Sequence, residues 1–200
     1  MALTILGLLA AYLIGAIPVG FLVARAAGGT DIRRAGSGNI GATNVLRTLG
    51  KGPAVLTLLG DILKGYLAVS AARAIGTEPW AAAAGAVAAI AGNCWPVFLA
   101  FRGGKGVATG LGAFLAFIPW AVAPAAALWL GVTVLSRYVS LASIVACLSL
   151  VPGAVLFGYP RHAAAAAAVA AVIIVWRHRE NVVRLASGTE RRLGERARAA

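Results

Sequence analysis

Three short polar segments carry most of the side chains that could do chemistry in this 200-residue chain. We call them island 1 (residues 35–47), island 2 (residues 101–109) and island 3 (residues 177–185). They are rich in Gly, Lys, Arg, Ser, Thr and Asn, which together can surround an anion with backbone N–H groups and positive charge. The rest of the chain is almost continuous hydrocarbon, so the pattern predicts polar sites for phosphorylated molecules on a membrane protein.

Island 1 lies in an unusually long connection between two apolar segments. The connection runs from Arg25 to Gly52, whereas ordinary connections have about 4–6 residues. The forked guanidinium of Arg47 suits a phosphate group. An ordinary turn-rich connection is the alternative, but the length favours a binding loop. The residues predicted to contact substrate beside Arg47 are Ser37, Gly38, Asn39, Gly41, Thr43 and Asn44.

Island 2 contains a glycine-rich sequence that is similar to a phosphate-binding loop. Gly103, Gly104 and Gly106 can expose N–H groups, and Lys105 adds a charge. A nucleotide-binding loop would place Ser or Thr after the lysine to bind magnesium, whereas Gly106 follows it here. The loop is therefore predicted to bind a phosphate without an obligatory metal. A basic loop beside a membrane segment is the simpler interpretation of island 2 alone.

In island 3, His178 and Asn181 are three residues apart and fall on one helical face. Positive charge on the neighbouring arginines disfavours protonation of His178, which leaves a neutral imidazole able to accept a proton. Asn181 could orient that imidazole or a substrate hydroxyl. The alternative is an interfacial histidine in a basic tail, which would be preferred if islands 1 and 2 were absent.

Several polar side chains outside the islands are predicted to support the site. Asp61 and Lys64 lie within an apolar segment, where charges are costly and usually face the protein interior, so we expect a mutual ion pair. Ser140 and Ser143 begin another apolar segment and could donate hydrogen bonds to substrate from their hydroxyls. Glu190 is expected to pair with the arginines around it.

The composition excludes a soluble globular domain. Charged residues make up 12% of the chain, whereas soluble domains carry about 25%. The net charge of +12 could indicate nucleic-acid binding, but the cations flank apolar segments as membrane orientation signals do, so no nucleic-acid partner is predicted. Cys94 and Cys147 lack metal-ligand spacing and are expected to be buried apolar residues. No metal and no cofactor are predicted.

Seven apolar segments predict an all-α integral membrane protein with about seven transmembrane helices in a single domain over residues 1–200. A spanning helix needs about 20 mostly apolar residues. Residues 107–135 fit either one kinked helix or two short ones, and Pro119 beside Trp120 favours two with a turn between them. The segments are 3–24, 53–72, 80–100, 107–118, 120–135, 141–157 and 163–176.

The distribution of charge predicts an N-terminus outside and a C-terminus in the cytoplasm. In that orientation 15 Lys and Arg residues are cytoplasmic, including Arg196 and Arg198, while Arg73 and Arg161 are outside and Lys64 lies within a helix. Cytoplasmic segments of membrane proteins carry such an excess of cations. All three islands then face the cytoplasm. The first segment is expected to be a retained helix, because its arginine follows the apolar run, unlike the charge of a signal peptide.

Six segments of the chain together match one known family. They are Gly36–Arg47, Asp61–Gly65, Gly103–Thr109, Ser136–Ser143, His178–Leu185 and Gly188–Glu190. They closely resemble the PlsY family, the bacterial glycerol-3-phosphate acyltransferases that use acyl phosphate. The resemblance spans the whole chain. It implies a seven-helix enzyme of the bacterial inner membrane with its motifs facing the cytoplasm.

The resemblance also implies a reaction, in which an acyl chain passes from acyl phosphate to the sn-1 hydroxyl of glycerol 3-phosphate. Lysophosphatidic acid and inorganic phosphate would be the products. Lys105 and the glycines beside it would hold the phosphate of glycerol 3-phosphate, and Glu190 would be structural. The proton of the hydroxyl would go to the imidazole of island 3 or to a substrate phosphate. The essential residues carried over by position would be Ser37, Arg47, His178 and Asn181.

One position departs from the family, and two further partners are implied. Many members carry His after the glycine that precedes island 2, whereas Asn93 follows Gly92 here, so Asn93 is assigned no role. Membrane lipids are implied as partners. The enzyme that forms the acyl phosphate is a candidate partner.

Two other classes of protein would share some of these features. A transporter or channel for organic phosphates would also combine glycine-rich breaks with cations. The sequence shows no inverted repeat, and the islands collect on one side of the membrane instead of at its midplane. A membrane-anchored nucleotide-binding protein is the third interpretation, and Gly106 after Lys105 counts against it.

We predict that activity needs no divalent metal ion. The islands contain no cluster of carboxylates that could hold one, since Asp31 and Glu180 are isolated among cations. The purified protein should therefore keep its activity in excess EDTA. Loss of activity in EDTA that added magnesium restores would contradict this prediction.

Overall fold

The computed structural model describes residues 1–195, in which all regular secondary structure is helical. Arg196 and Arg198, counted above among the cytoplasmic cations, lie outside the described residues. The α-helices are α1 (Ala2–Ala16), α2 (Val19–Gly28), α3 (Ala42–Leu49), α4 (Lys51–Ile75), α5 (Ala81–Cys94), α6 (Val107–Leu115), α7 (Pro119–Ser136), α8 (Val139–Leu156), α9 (Arg161–Arg177) and α10 (Arg179–Ala186).

Each of the seven predicted apolar segments forms helix. Residues 107–135 form two helices, because α6 ends at Leu115 and α7 begins at Pro119. Within residues 1–195, five spans are long and apolar enough to cross a membrane, namely the α1–α2 unit, α4, α5 with the turn after it, α7 and α8. α9 has 17 residues, and α6, with nine, rises only about 14 Å. Seven crossings of the membrane, with the N-terminus outside and the C-terminus in the cytoplasm, therefore remain a prediction.

The first apolar segment is broken, so the prediction of one helix over residues 3–24 is wrong. α1 ends at Ala16 and α2 begins at Val19, because Pro18 between them lacks the N–H group that would continue the helical hydrogen bonds. At the break the Ile17 carbonyl accepts a hydrogen bond from Lys64 Nζ at 2.7 Å. The interruption therefore ties the first helix pair to a charged residue of α4.

Small residues let the helices approach closely, as the alanine-rich runs predict. Gly112 of α6 lies against the Ile62 backbone of α4, and Gly65 of α4 lies against the Thr109 backbone of α6. A Cβ atom at either glycine would overlap the facing backbone. These contacts fix α6 against α4, which places the N-terminus of α6 beside islands 1 and 3.

The bundle places small apolar residues inside and large ones outside. Its buried apolar residues are mostly alanines, with a few larger side chains such as Phe114. Large apolar side chains are exposed instead, for example Leu135 at 88% and Leu156 at 82%. This arrangement suits a lipid environment, which is as apolar as leucine itself. Both cysteines, Cys94 and Cys147, are free and buried, as predicted.

Candidate active site

A cavity of about 620 Å³ brings the three islands together. Its polar end is formed by the islands, by the start of α8 and by the segment after α10. Among the predicted site residues, Lys64 does not line it but contacts Asp61, which does. The predicted residues on the wall are Ser37, Gly38, Asn39, Gly41, Thr43, Asn44, Arg47, Asp61, Gly103, Gly104, Lys105, Gly106, Ser143, His178, Asn181 and Glu190.

Island 1 is organised around the side-chain amide of Asn44. Its Oδ1 accepts the Ser37 N–H at 2.8 Å, and its Nδ2 donates to the Ala35 and Asn39 carbonyls at 3.0 and 2.8 Å. Both ends of the amide are therefore engaged within island 1, which differs from the predicted contact with substrate. The second half of island 1 also forms α3 instead of the expected loop.

The first half of island 1 is a turn that presents Ser37 at the cavity. Gly36 and Gly38 have φ values of +61° and +70°, a conformation that favours glycine. The Asn39 side chain accepts the Gly41 N–H at 2.8 Å and closes the turn. Ser37, between the two glycines, is exposed and lines the cavity.

Arg47 reaches the cavity from α3 with part of its guanidinium unpaired. One terminal nitrogen donates to the Arg191 carbonyl at 3.3 Å, while the buried Nε has no hydrogen-bond partner among residues 1–195. Burial lowers the pKa of Arg47, and the nearby charge of Arg191 lowers it further. Because a buried donor without a partner is costly, an anion in the cavity would gain a charge-assisted hydrogen bond here.

Island 2 is held by Arg177, the first residue of island 3, which was not among the individually predicted site residues. The Arg177 guanidinium donates to the Gly104 carbonyl from Nε and to the Gly103 carbonyl from a terminal nitrogen, both at 3.0 Å. Its place directly before His178 was the available signal. The anchored loop leads into the N-terminus of α6, where residues 106–109 line the cavity. Free N–H groups and the helix dipole favour an anion at that position.

A buried ion pair supports island 2 from α4. Lys64 Nζ lies 2.8 Å from Asp61 Oδ1, so the predicted pair is present. Lys64 also donates to Asn93 Oδ1 at 2.9 Å, and the Asn93 carbonyl accepts the Gly104 N–H at 2.9 Å. Asn93, which was assigned no role from the sequence, therefore links the ion pair to the loop. An amide inside an apolar segment, at a position where many family members carry His, was the available signal.

The carboxylate of Glu190 joins island 3 to α8. Its Oε1 accepts from Asn181 Nδ2 and from Ser140 Oγ at 2.7 Å each, and its Oε2 accepts from Arg184 Nε at 2.7 Å. Burial opposes the ionisation of Glu190, but the hydrogen bonds from these three side chains lower its pKa. The predicted pairing of Glu190 with an arginine is present through Arg184.

Lys105 completes a chain of contacts that runs to Glu190. The Lys105 ammonium donates to Asn181 Oδ1, so the Asn181 amide is held at both ends. Burial, followed by the charge of Arg184, lowers the pKa of Lys105 to about 8. Lys105 therefore remains mostly protonated at neutral pH and can act as a cation for phosphate.

His178 is a buried imidazole at the junction of α9 and α10. Its Nδ1 lies 2.8 Å from the Ile174 carbonyl, which can only accept, so Nδ1 carries the hydrogen and Nε2 is left as an acceptor. Burial, followed by the charge of Lys105, lowers the pKa of His178 to about 4. The neutral form was predicted, but from arginine charges instead of burial. His178 and Asn181 both line the cavity.

Ser143 lines the cavity, but its hydroxyl is engaged by the surrounding helices. It donates to the Val139 carbonyl at 2.7 Å and accepts from Trp129 Nε1 at 3.2 Å. Ser140, the other serine of the predicted pair, binds Glu190 instead. The Ser140 hydroxyl therefore supports the polar end, and the Ser143 hydroxyl links α7 to α8.

Away from the islands the cavity continues as an apolar groove between α6, α7, α8 and α9. The buried side chains of Phe114, Val122 and Leu150 form its far end. Beyond them α7 and α8 approach closely, since a Cβ atom on Gly153 would lie 3.3 Å from the Cβ of Ala121. Little space is therefore left between α7 and α8 beyond these side chains.

A helical membrane protein whose cavity joins an anion-binding end to an apolar groove has the features of an enzyme that acts on phosphate-bearing lipids. The family description for glycerol-3-phosphate acyltransferase matches residues 5–188. The chain belongs to this family, an integral membrane acyltransferase family of phospholipid synthesis, as its motifs indicated.

Named relatives match the chain over nearly its whole length. It is 49% identical to the glycerol-3-phosphate acyltransferase of Rubrobacter xylanophilus over 98% of both chains, and 50% identical to that of Thermus thermophilus over 96% of both. The crystal structure of PlsY (YgiH), an integral membrane glycerol 3-phosphate acyltransferase, is similar in its glycerol 3-phosphate form, with a TM-score of 0.89 and 42% identity over 96% of both chains. Its lysophosphatidic acid form gives a TM-score of 0.87.

We expect Arg47→Ala and Lys105→Ala each to reduce kcat/KM for glycerol 3-phosphate by roughly tenfold to a hundredfold. The reason is that a charge-assisted hydrogen bond contributes about 1.5–3 kcal/mol. Steady-state kinetics of the purified variants would measure the change. Lys51→Ala is the control, because Lys51 is exposed at the start of α4. Near-normal kinetics in both test variants would show that neither side chain binds the phosphate.

Proposed function

We propose that this protein transfers an acyl chain from acyl phosphate to the sn-1 hydroxyl of glycerol 3-phosphate, giving lysophosphatidic acid and inorganic phosphate. The observation that carries the proposal is the continuity of a cationic pocket with an apolar groove in one cavity. A small phosphorylated acceptor fits the first part, and the chain of an acyl donor fits the second. The solved relative in its glycerol 3-phosphate and lysophosphatidic acid forms supports this pairing.

Two phosphate groups would meet at the polar end of the cavity. We assign the phosphate of glycerol 3-phosphate to Lys105 and the glycines of island 2, with Ser37 and Arg47 facing it from island 1. The N-terminus of α6 adds N–H donors. Holding two anionic reactants in one geometry is the main task, and such positioning can supply about 7–11 kcal/mol.

The transfer requires no covalent bond to the protein. The acceptor hydroxyl oxygen attacks the carbonyl carbon of the acyl phosphate and forms the ester bond. The bond from that carbon to the phosphate oxygen then breaks, and phosphate departs with the bonding electrons. The hydroxyl proton passes to a base. The cations and N–H donors of the site stabilise the charge that develops on the carbonyl oxygen and on the departing phosphate.

A substrate phosphate is the better candidate for that base. His178 offers Nε2 as an acceptor, but a pKa of about 4 makes it a poor proton acceptor at neutral pH. Phosphate esters have a second pKa of about 6, closer to the pH of the reaction. In this proposal His178 orients the hydroxyl through Nε2, and Asn181 holds Lys105 in place for the phosphate. The proton stays on the substrates.

The proposal includes a location at the bacterial inner membrane with the active site facing the cytoplasm. The segments that would lie on the same side of the membrane as the islands contain most of the Lys and Arg residues, which supports this orientation. Membrane lipids would cover the exposed leucines and valines of the outer surface. The enzyme that forms the acyl phosphate is the candidate partner, because it would supply the donor.

Acyl phosphate should be a good donor and acyl-CoA a poor one. Acyltransferases that use thioester donors often carry a His-x4-Asp pair, whereas Ala167 lies five positions after His162 and Val183 lies five after His178. A mixed anhydride needs less activation than a thioester. The purified protein should convert radiolabelled glycerol 3-phosphate to lipid with palmitoyl phosphate and remain at background with palmitoyl-CoA. Efficient use of palmitoyl-CoA, with none of palmitoyl phosphate, would overturn the proposed reaction.

The buried side chains at the far end of the groove should limit the length of the acyl chain. Ser140 and Leu150 are ten residues apart on α8, a rise of about 15 Å, which equals roughly a dozen methylene groups for carbon–carbon bonds of about 1.5 Å. Leu150→Phe should therefore lower kcat/KM for palmitoyl phosphate relative to decanoyl phosphate by about tenfold. Leu148→Phe is the control, because Leu148 is exposed on the same helix. Equal donor ratios in both variants and the wild type would show that Leu150 does not bound the chain.

A further inference from the structure

The segment after α10 forms a strap beside the polar end of the cavity. We define the strap as residues 187–195. The chain turns back at Gly188, whose φ is +70°, and the Glu190 N–H donates to the Arg184 carbonyl at 3.1 Å. Glu190 and Arg191 then line the cavity. The strap is therefore part of the wall of the site.

The far end of the strap is held by Arg137, at the turn between α7 and α8. The Leu193 N–H donates to the Arg137 carbonyl at 2.7 Å. The Arg137 guanidinium donates twice to the Leu193 carbonyl, from Nε at 3.1 Å and from a terminal nitrogen at 2.7 Å. Arg137 thus satisfies both polar groups of the Leu193 backbone. Arg192 adds a cation–π contact, with its guanidinium 5.4 Å from the Tyr138 ring centre.

Arg137 occupies an unfavourable backbone conformation at this turn. Its φ is +62°, in the left-handed region that side chains other than glycine rarely adopt. Gly194 leaves room for the guanidinium, since a Cβ atom there would lie 3.2 Å from its terminal nitrogen. Glycine at position 137 would relieve the strain but would lose the bonds to Leu193. The arginine is therefore explained by its contact with the strap.

Between its two ends the strap contacts the groups assigned to phosphate binding. The Glu190 carboxylate binds Asn181, which accepts a hydrogen bond from Lys105. The Arg191 carbonyl accepts a hydrogen bond from Arg47 at 3.3 Å. A shift of the strap would therefore alter the surroundings of both cations at once.

We propose that Arg137 is a positioning residue that clamps the strap, so that Lys105 and Arg47 are oriented for the phosphate of the acceptor. Arg137 does not itself line the cavity and acts through the backbone of Leu193. The inference rests on the proposed function, because it assigns the acceptor phosphate to these two cations. It goes beyond that function by giving the turn between α7 and α8 a part in acceptor binding.

The variant Arg137→Gly removes the guanidinium, while the positive φ suits glycine and the Leu193 N–H keeps its acceptor. The KM for glycerol 3-phosphate should rise about tenfold, because two charge-assisted hydrogen bonds are lost, and the KM for acyl phosphate should stay unchanged. Arg161→Ala is the control, since Arg161 is an exposed arginine at the start of α9. An unchanged KM for glycerol 3-phosphate in Arg137→Gly would refute the clamp.

The pH profile separates a loss of positioning from a general weakening of the fold. The charge of Glu190 raises the pKa of Lys105, so a displaced Glu190 lets Lys105 lose its proton at lower pH. The alkaline limb of kcat/KM should therefore move to lower pH in Arg137→Gly. The other charged or titratable side chains that act on Lys105 or Glu190 are not mutated in the variant, namely Arg47, Arg177, His178, Glu180 and Arg184.

Arg137→Lys decides the question if the glycine variant cannot be recovered from membranes. Lysine can form fewer hydrogen bonds to the Leu193 carbonyl than arginine, whereas glycine forms none from its side chain. The rise in the KM for glycerol 3-phosphate and the shift of the alkaline limb should therefore be smaller in Arg137→Lys than in Arg137→Gly. A fall in kcat with neither quantity moved would count against the proposal. Wild-type protein that acylates no glycerol 3-phosphate would instead refute the proposed function and leave the strap contacts without that role.

Discussion

Where a helix breaks inside a membrane protein, its carbonyl groups lose their N–H partners and must find other donors. Here cationic side chains meet that need. Lys64 donates to the Ile17 carbonyl at the break in the first segment, and Arg177 donates to the carbonyls of Gly103 and Gly104 in island 2. Each such contact also brings positive charge to a place where the backbone is irregular. Arg177 lines the cavity, so part of the cavity's positive charge comes from a side chain that also binds backbone carbonyls.

Few carboxylates are available to neutralise this charge, and the buried ones are already engaged. Asp61 is paired with Lys64, and Glu190 is shared by Arg184 and two neutral side chains. Lys105 shows the result, because burial and a neighbouring cation lower its pKa. A phosphate dianion would reverse that effect by favouring the charged form of the lysine. Binding of a phosphorylated substrate would therefore also reduce the electrostatic repulsion between Lys105 and its neighbouring cation.

The sequence predicted the residue types of the site better than the backbone that carries them. Apolar length and flanking charge act locally, so the helical segments and the meeting of the islands could be inferred. The break at Pro18 was not predicted because the residues on both sides of it form one continuous apolar segment. The contacts of Asn44, Asn93 and Arg177 join segments that are distant in the chain or depend on backbone geometry, and a residue pattern does not encode those partners.

The alanine-filled interior has a consequence for the variation that this protein can tolerate. In the core of a water-soluble protein, substitutions commonly destabilise the fold by removing methylene groups and leaving a cavity. Here helix backbones touch at Gly65 and Gly112, so one added methyl group would force α4 and α6 apart. On the outer face, exchanges among leucine, isoleucine and valine preserve contact with lipid. Substitutions inside the bundle are therefore limited by side-chain size, and substitutions on the outer face are limited by polarity. Inside the bundle, a larger side chain destabilises the fold more than a smaller one.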